Sequence, residues 1–174
     1  MEDILILVDD NDQQIGRMGK DEAHAKGVKH RAFSVFLFNE NYELLIQQRA
    51  FSKYHTPGLW ANTCCSHPRD GETTLEATHR RLIFEMGIDA PLTHVYEMAY
   101  EAHFDNGVIE NEYDHVYLGR YDENPVLNPD EVNDYRWISL DDLKFEMETE
   151  SEKYTFWFKK IVNDFDFTSA LSSP

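Results

Sequence analysis

Three histidines and two glutamates in this chain carry the chemistry of a metal site. Glu110 and Glu112 flank a single asparagine, and residues two apart in an extended segment point to the same face. Two carboxylates on one buried face repel unless a cation, or a shared proton, lies between them. His24, His30 and His67 add imidazoles, and imidazole with carboxylate is the usual donor set for zinc, manganese or iron. Spacing alone does not bring the three histidines together. The remaining His55, His79, His94, His103 and His115 read, one by one, as surface residues or as hydrogen-bonded core residues.

Cys65 lies two residues before His67 in the run Asn62-Thr-Cys-Cys-Ser-His-Pro68. Local sequence leaves two readings open: a buried structural cysteine, or a thiol acting as acid or nucleophile beside a charged site. The ordinary thiol pKa of about 8.5 is close enough to neutral for a protonated cysteine to serve as a general acid. Cys64 and Cys65 are adjacent and are the only cysteines. Vicinal disulfides are strained, so this is not a disulfide-stapled secreted scaffold. Cys64 reads as a packing residue.

A third signal lies on a helix. From Glu72 to Met86, Leu75, Leu82 and Met86 recur at helical spacing with His79 between them, and Gly87 stands where a helix stop is expected. This segment resembles the Nudix hydrolase signature: Gly, five residues, Glu, seven residues, Arg-Glu, an aliphatic, any residue, Glu-Glu, any residue, Gly and an aliphatic. Here the frame reads Ser66, Glu72, Arg80-Arg81-Leu82, Phe84-Glu85 and Gly87-Ile88. Arg81 and Phe84 stand where the hydrolases use glutamates to hold the metals that activate water, so that cluster is largely gone. Glu85 survives and can bind one Mg²⁺, with Arg81 four residues earlier on the same helix face. A cation beside an Mg²⁺ ligand suits holding a diphosphate, not splitting it.

These residues must be positioned by a mixed set of elements. Ile4–Asp9 reads as a strand, and Ala32–Phe38 and Leu44–Arg49 as a hairpin around the turn Asn39-Glu-Asn-Tyr-Glu43. An extended stretch precedes His67, after the turn at Pro57-Gly58. Val95–Phe104 and Glu110–Gly119 flank Asp105-Asn106-Gly107, a strong hairpin turn. Tyr135–Ile138 reads as a strand, and Ser139 with Asp142 three residues on as a helix start. A last helix from about Ser151 to Phe165 would present Phe158, Ile161, Val162 and Phe165, with Ser169–Pro174 as a frayed tail. The expected fold class is α+β and Nudix-like: mostly antiparallel sheet flanked by helices, with a C-terminal helical extension. One domain over residues 1–174 is expected, with its core at about 30–148, an N-terminal strand and arm at 1–29, and the C-terminal helix at 151–165.

Composition excludes several partners. The longest apolar run, near Ile4–Val8, is too short to span a bilayer and follows two acidic residues, the wrong charge for a secretory signal. The expected location is the cytoplasm. A net charge of −17 repels nucleic acid and anionic membranes, so neither is expected as a partner. An anionic small molecule requires cations gathered in one pocket. No flavin or nicotinamide motif is present.

Read as a whole, the chain resembles the type I isopentenyl-diphosphate isomerases, a branch of the Nudix fold. The resemblance runs from about Lys20 to Trp157. It rests on His24, His30-Arg-Ala-Phe-Ser34, Arg49-Ala-Phe-Ser-Lys53, Pro57-Gly-Leu-Trp60, Asn62-Thr-Cys-Cys-Ser-His-Pro68, Glu110-Asn-Glu112 and Trp157. One departure is a His24–His30 interval one residue shorter than in the bacterial enzymes. The resemblance implies that His24, His30, His67, Glu110 and Glu112 bind one divalent metal, Mn²⁺, Zn²⁺ or Mg²⁺. It implies Cys65 and Glu112 as the catalytic pair, on opposite faces of the substrate, with Tyr100 supporting the glutamate. Trp157 would stabilise a carbocation-like state with its ring face; helix packing is its alternative role. Lys20, Arg49, Lys53 and Arg81 would grip the diphosphate through charge-assisted bonds, together with Mg²⁺ on Glu85 and on the Cys65 backbone carbonyl. The implied partner is a small isoprenoid diphosphate; oligomeric state is not fixed, and a monomer is compatible. Two other readings are weaker. A Nudix diphosphohydrolase needs the glutamates that Arg81 and Phe84 replace. A non-catalytic domain with a structural metal would favour a closed, cysteine-rich ligand set.

Overall fold

The computed structural model describes residues 2–173. Its centre is strand β3 (His30–Phe38), and everything that matters for the site is arranged around it. β3 runs parallel to β8 (Ile109–Arg120), with His30 beside Glu112 and Ser34 beside Val116. On its other side β3 pairs with the short β6 (Cys64–Ser66), where Ser34 lies beside Cys65. β7 (Leu92–His103) completes an antiparallel hairpin with β8 around the expected Asp105-Asn106-Gly107 turn, with Tyr100 opposite Glu112.

The hairpin expected between β3 and β4 (Glu43–Arg49) has its turn but not its ladder. The strands are registered at Phe38 and Leu44 only. β4 then departs to pair with β9 (Val132–Ser139) along its length and with β5 (Trp60–Ala61). Both strands are buried on both faces, so each is satisfied by a different neighbour, and the divergence opens a wedge in the sheet.

Alternation along β3 sorts the core into two layers. Phe36 and Phe38 face one side with Ile46, Trp157, Phe158 and Ile161; Phe33, Val35 and Leu37 face the other with Leu82 and Met86. The second layer is covered by α2 (Thr74–Met86). This helix starts two residues later than the periodicity predicts, because Thr73 is its cap. The Thr73 hydroxyl accepts from the Glu76 backbone N–H at 3.2 Å and the Glu76 carboxylate accepts from the Thr73 N–H at 2.8 Å, a reciprocal capping box. Gly87 ends it with φ at 65°, where a Cβ would lie 2.9 Å from the Val126 carbonyl. Leu75 falls outside the buried stripe at 44% exposure: the first turn stands clear of the core, and burial begins at Ala77.

Two elements have no counterpart in the sequence reading. β2 (Gln14–Gly19) pairs with β1 (Ile4–Val8), and α1 (Lys20–Lys26) follows it directly. The C-terminus also differs. α3 (Leu140–Thr149) is capped as expected by Ser139, whose hydroxyl accepts from Asp142 N–H at 3.2 Å. The single last helix is instead a 3₁₀ turn at Ser151–Lys153, then α4 (Phe156–Asp164) and α5 (Phe167–Ser172). The break at Tyr154 arises because that residue is buried and bridges to Trp60 in extended form.

The expected frayed tail is an ordered helix as far as Ser172, with Ser173 as its C-terminal cap. Phe167 stacks on Phe36 at 4.5 Å between ring centres, Asp166 caps the Ser169 N–H at 3.0 Å, and Leu171 is buried. Pro174 lies outside the described residues. Leu171→Ala should therefore lower the unfolding free energy by about 2–5 kcal/mol, measured from the urea midpoint; an unchanged midpoint would show that the tail contributes nothing.

Candidate active site

Glu112 gathers three imidazoles from three separate elements. Its Oε1 lies 3.0 Å from His67 Nε2, 3.3 Å from His30 Nε2 and 3.9 Å from His24 Nε2. His30 sits beside Glu112 through the β3–β8 register, His67 follows β6, and His24 comes from α1. The His24 and His30 rings are 5.1 Å apart, so the short interval between them still closes on one point. Ligand atoms of the four residues all fall within 4.8 Å of one another. His30 Nδ1–H donates to the Val28 carbonyl at 2.9 Å, which turns Nε2 towards Glu112, where a metal would take the place of its proton. His24 Nε2 is buried and has no hydrogen-bond partner, the mark of a ring aimed at something other than protein. The donor set fits a divalent metal.

The electrostatics divide the histidines. Burial pushes the His67 pKa down to about 3 against the pull of Glu112, so this ring is the neutral form that a metal requires. Burial also opposes a charge on His30, yet the hydrogen bond and charge of Glu112 raise it. Glu112 is held well below the usual carboxylate range: burial would raise it, and the three histidines more than offset that. The pocket draws in positive charge.

Glu110 shares the buried face of β8 with Glu112, as alternation predicts. It does not join the cluster. His55 Nε2 lies 2.7 Å from its Oε2, and the Tyr100 hydroxyl is 3.0 Å from its Oε1. The same hydroxyl is 2.9 Å from Glu112 Oε2, so one proton serves two carboxylates. Burial, then the charge of Glu112, raises Glu110 despite its bond to His55. His55 was not distinguished in the sequence: it sits in a loop, with no periodicity to point at its partner. Asp114 was missed too, although the alternation that found Glu110 and Glu112 reaches it. It is buried, accepts from Ser34 Oγ–H at 2.8 Å, and is pushed well above the carboxylate range by burial and by Glu112.

A cleft of about 700 Å³, measured to its open mouth, joins these residues to the others. Cys65, His67, His24, Glu110, Glu112 and Trp157 line it. His30, Tyr100 and Glu85 stand behind its wall. Because β6 and β8 flank β3 on opposite sides, and Ser34 and His30 lie four residues apart on it, Cys65 and Glu112 project from one sheet face on either side of β3. Cys65 keeps some exposure along the cleft. Its thiol is nevertheless driven to about 12, first by burial and then by Glu85, Asp114 and Glu112, with Arg49 opposing. It is protonated at neutral pH. Trp157 is fixed by donating Nε1–H to Asn62 Oδ1 at 3.1 Å, while Asn62 donates to the Val35 and Cys64 carbonyls. The Arg49 guanidinium lies over the Trp157 ring at 5.5 Å. Cys64 is buried against α2, as expected of a packing residue.

The cations also meet at the cleft. Lys20, Arg49, Lys53 and Arg81 all line it. Burial lowers the Lys20 pKa, and the charges of Lys53, Arg81 and Arg49 lower it further: like charges are crowded here. Glu131, which no pattern in the sequence distinguished, partly answers them. It pairs with Lys53 and lies 3.3 Å from Arg81. Glu85 is buried, bonded to Arg81 at 3.1 Å and to Gln47 at 3.3 Å.

The comparisons now have a geometry to bear on. The NUDIX domain model matches residues 28–158. The crystal structure of DR0079 from Deinococcus radiodurans superposes with a TM-score of 0.76 at 20% identity, covering 92% of this chain and 97% of that one. A MutT protein from Methanosarcina mazei gives 0.66 at 17% identity, over 83% of this chain and 96% of that one. These establish the fold. In sequence, the isopentenyl-diphosphate Delta-isomerase 2 of Photorhabdus laumondii is 50% identical over 167 residues, 96% of this chain and 94% of that protein. The isopentenyl-diphosphate Delta-isomerase of Pectobacterium atrosepticum is 50% identical over 155 residues, 89% of this chain and 87% of its own.

The chain belongs to the isopentenyl-diphosphate Delta-isomerase family.

Its fold is accordingly the α+β NUDIX fold, and within it this isomerase-family chain keeps Glu85 but has Arg81 and Phe84 at two of the signature's glutamate positions. Phe84 is 51% exposed and carries the Arg81 guanidinium over its ring at 5.0 Å, so neither position offers a carboxylate. Metal-free protein titrated with Mn²⁺ should gain thermal stability, about 2.7 kcal/mol at a hundred times Kd. Glu112→Gln should largely abolish the gain in the same melts; an equal gain in the variant would separate the metal from this cluster.

Proposed function

We infer that the chain is an isopentenyl-diphosphate Delta-isomerase that converts isopentenyl diphosphate to dimethylallyl diphosphate by a 1,3-allylic proton shift. The observation that carries this reading is the pairing of a protonated thiol, Cys65, with an ionised carboxylate, Glu112, on either side of β3 and on one sheet face. Moving a double bond in this way needs one group to add a proton at one end of the alkene and another to remove one from the other end. A raised thiol and a depressed carboxylate support Cys65 as the acid and Glu112 as the base. A tertiary carbocation-like state lies between the two steps, and the ring face of Trp157 suits its stabilisation. Tyr100 donates to Glu112 and so holds the orientation of the base.

His24, His30, His67, Glu110 and Glu112 would hold one divalent metal, Mn²⁺, Zn²⁺ or Mg²⁺. That ion would supply fixed positive charge, keeping Glu112 ionised and leaving the imidazoles neutral. For Glu110 to join, its carboxylate must turn from His55 towards the cluster. Lys20, Arg49, Lys53 and Arg81 would take the diphosphate, and Glu85 with the Cys65 carbonyl would hold its Mg²⁺. Lys53 and Arg81 must exchange Glu131 for the incoming phosphate. Against hydrolysis stand Arg81 and Phe84, which remove two of the helix's water-activating carboxylates and leave only Glu85 of that group. The expected setting is the cytoplasm; no helix among the described residues is long and apolar enough to cross a membrane.

Incubation with isopentenyl diphosphate and Mg²⁺ in D₂O, followed by proton and phosphorus NMR, tests the reading. Deuterated dimethylallyl diphosphate with an intact diphosphate is expected; release of phosphate or pyrophosphate would sink it. Cys65→Ala should lower kcat by about 10²–10⁴-fold with the fold and metal content retained. A variant that loses its metal instead would assign Cys65 a structural role.

A further inference from the structure

A second group of metal-ligating side chains lies outside the cleft, on the hairpin of β7 and β8. His94 Nε2 and His115 Nδ1 are 2.9 Å apart, and Glu97 Oε2 lies 3.5 Å from each of them. Donors about 2.0–2.1 Å from a tetrahedral zinc stand about 3.3 Å from one another. The three atoms thus already form one face of a tetrahedron. His94 and Glu97 are 41% and 46% exposed at their side chains, so the fourth position opens to solvent.

The arrangement does not arise from ordinary strand geometry. Residues three apart on a strand point to opposite faces, which would separate His94 from Glu97. The register of β7 slips between His94 and Tyr96: His94 is opposite Tyr117, whereas Glu97 is opposite His115. The bulge restores both side chains to the face that His115 occupies. Each donor is also braced from behind. His115 Nε2 lies 2.8 Å from Asp12 Oδ2, and Arg31 holds Asp12 by its carboxylate at 2.8 Å and its carbonyl at 2.7 Å. The Tyr113 hydroxyl donates to Glu97 Oε1 at 2.7 Å, leaving Oε2 free. The His94 ring rests edge-on against Tyr117, 5.3 Å between centres. A carboxylate behind a ligating histidine is the usual orienting device at metal centres.

We propose that His94, Glu97 and His115 form a second metal site, selective for a late first-row divalent cation such as Zn²⁺, on the face of β8 opposite Glu112. An ion there ties β7 to β8 and, through Asp12, to the turn between β1 and β2. It leaves the cleft untouched. The site does not depend on the isomerase reading.

The test is zinc content after equilibrium dialysis at a buffered free concentration, for the wild type, His94→Ala, Glu97→Gln and, as a control for the first cluster, His67→Ala. The wild type should hold one equivalent more than His94→Ala or Glu97→Gln, both of which should keep the wild-type isomerase rate. Asp12→Asn should weaken this second equivalent by about 10–100-fold. Long-range ¹H–¹⁵N spectra should show zinc on Nε2 of His94 and Nδ1 of His115. Equal zinc content in the wild type and His94→Ala, or ring nitrogens unmoved by zinc, would overturn the proposal.

Discussion

Three buried carboxylates on one face of a single strand are the constraint around which this protein is organised. Glu110, Glu112 and Asp114 alternate along β8, and none is more than 8% exposed. Left alone, their mutual repulsion and desolvation would be prohibitive. Each is settled differently. Glu112 keeps its charge among three imidazoles, Glu110 takes a histidine and a tyrosine, and Asp114 is driven towards its neutral form beside Ser34. One strand therefore presents three different proton affinities within five residues, and the elements that supply the partners are those that close the cleft.

β3 makes this possible by refusing an ordinary hairpin. Because β4 leaves it after a single registered pair, both of its edges remain free, one for β8 and one for β6. Cys65 and Glu112, the proposed acid and base, are divided between those two edges. Apolar layers on both sides of β3 lock its register, and a slip of one residue would send His30 and Ser34 to the wrong face.

Much of this was legible in the residues. Alternation placed Glu110 and Glu112 together, the Asp-Asn-Gly turn set the β7–β8 hairpin, and the serine cap located α3. Of the residues that the motif resemblance singled out, Lys20, His24, Arg49, Cys65 and Glu112 are among those lining one cleft, whereas His30, Tyr100 and Glu85 lie behind it. What escaped has physical causes. β2 is largely exposed, at a sheet edge, so no hydrophobic period marks it. His55 and Glu131 lie in loops, where side-chain direction follows the path of the backbone and no period exists to read. The β7 bulge inverts the alternation on which the reading of His94 and Glu97 would depend. The C-terminal helix breaks because Tyr154 is needed in the core, a tertiary demand invisible to local helical periodicity.

The crowded cations of the cleft have a kinetic consequence. The chain as a whole carries −17, so a diphosphate in bulk solution meets a repulsive field and is not steered inward. Attraction begins only within about a Debye length, near 8 Å at physiological ionic strength, where Lys20, Arg49, Lys53 and Arg81 dominate. Added salt then acts in two directions: it screens the distant repulsion and hastens encounter, and it weakens the grip once contact is made. Capture of a diphosphate at the proposed site would therefore be a short-range event, with an association rate rising with moderate salt while the complex grows shorter-lived.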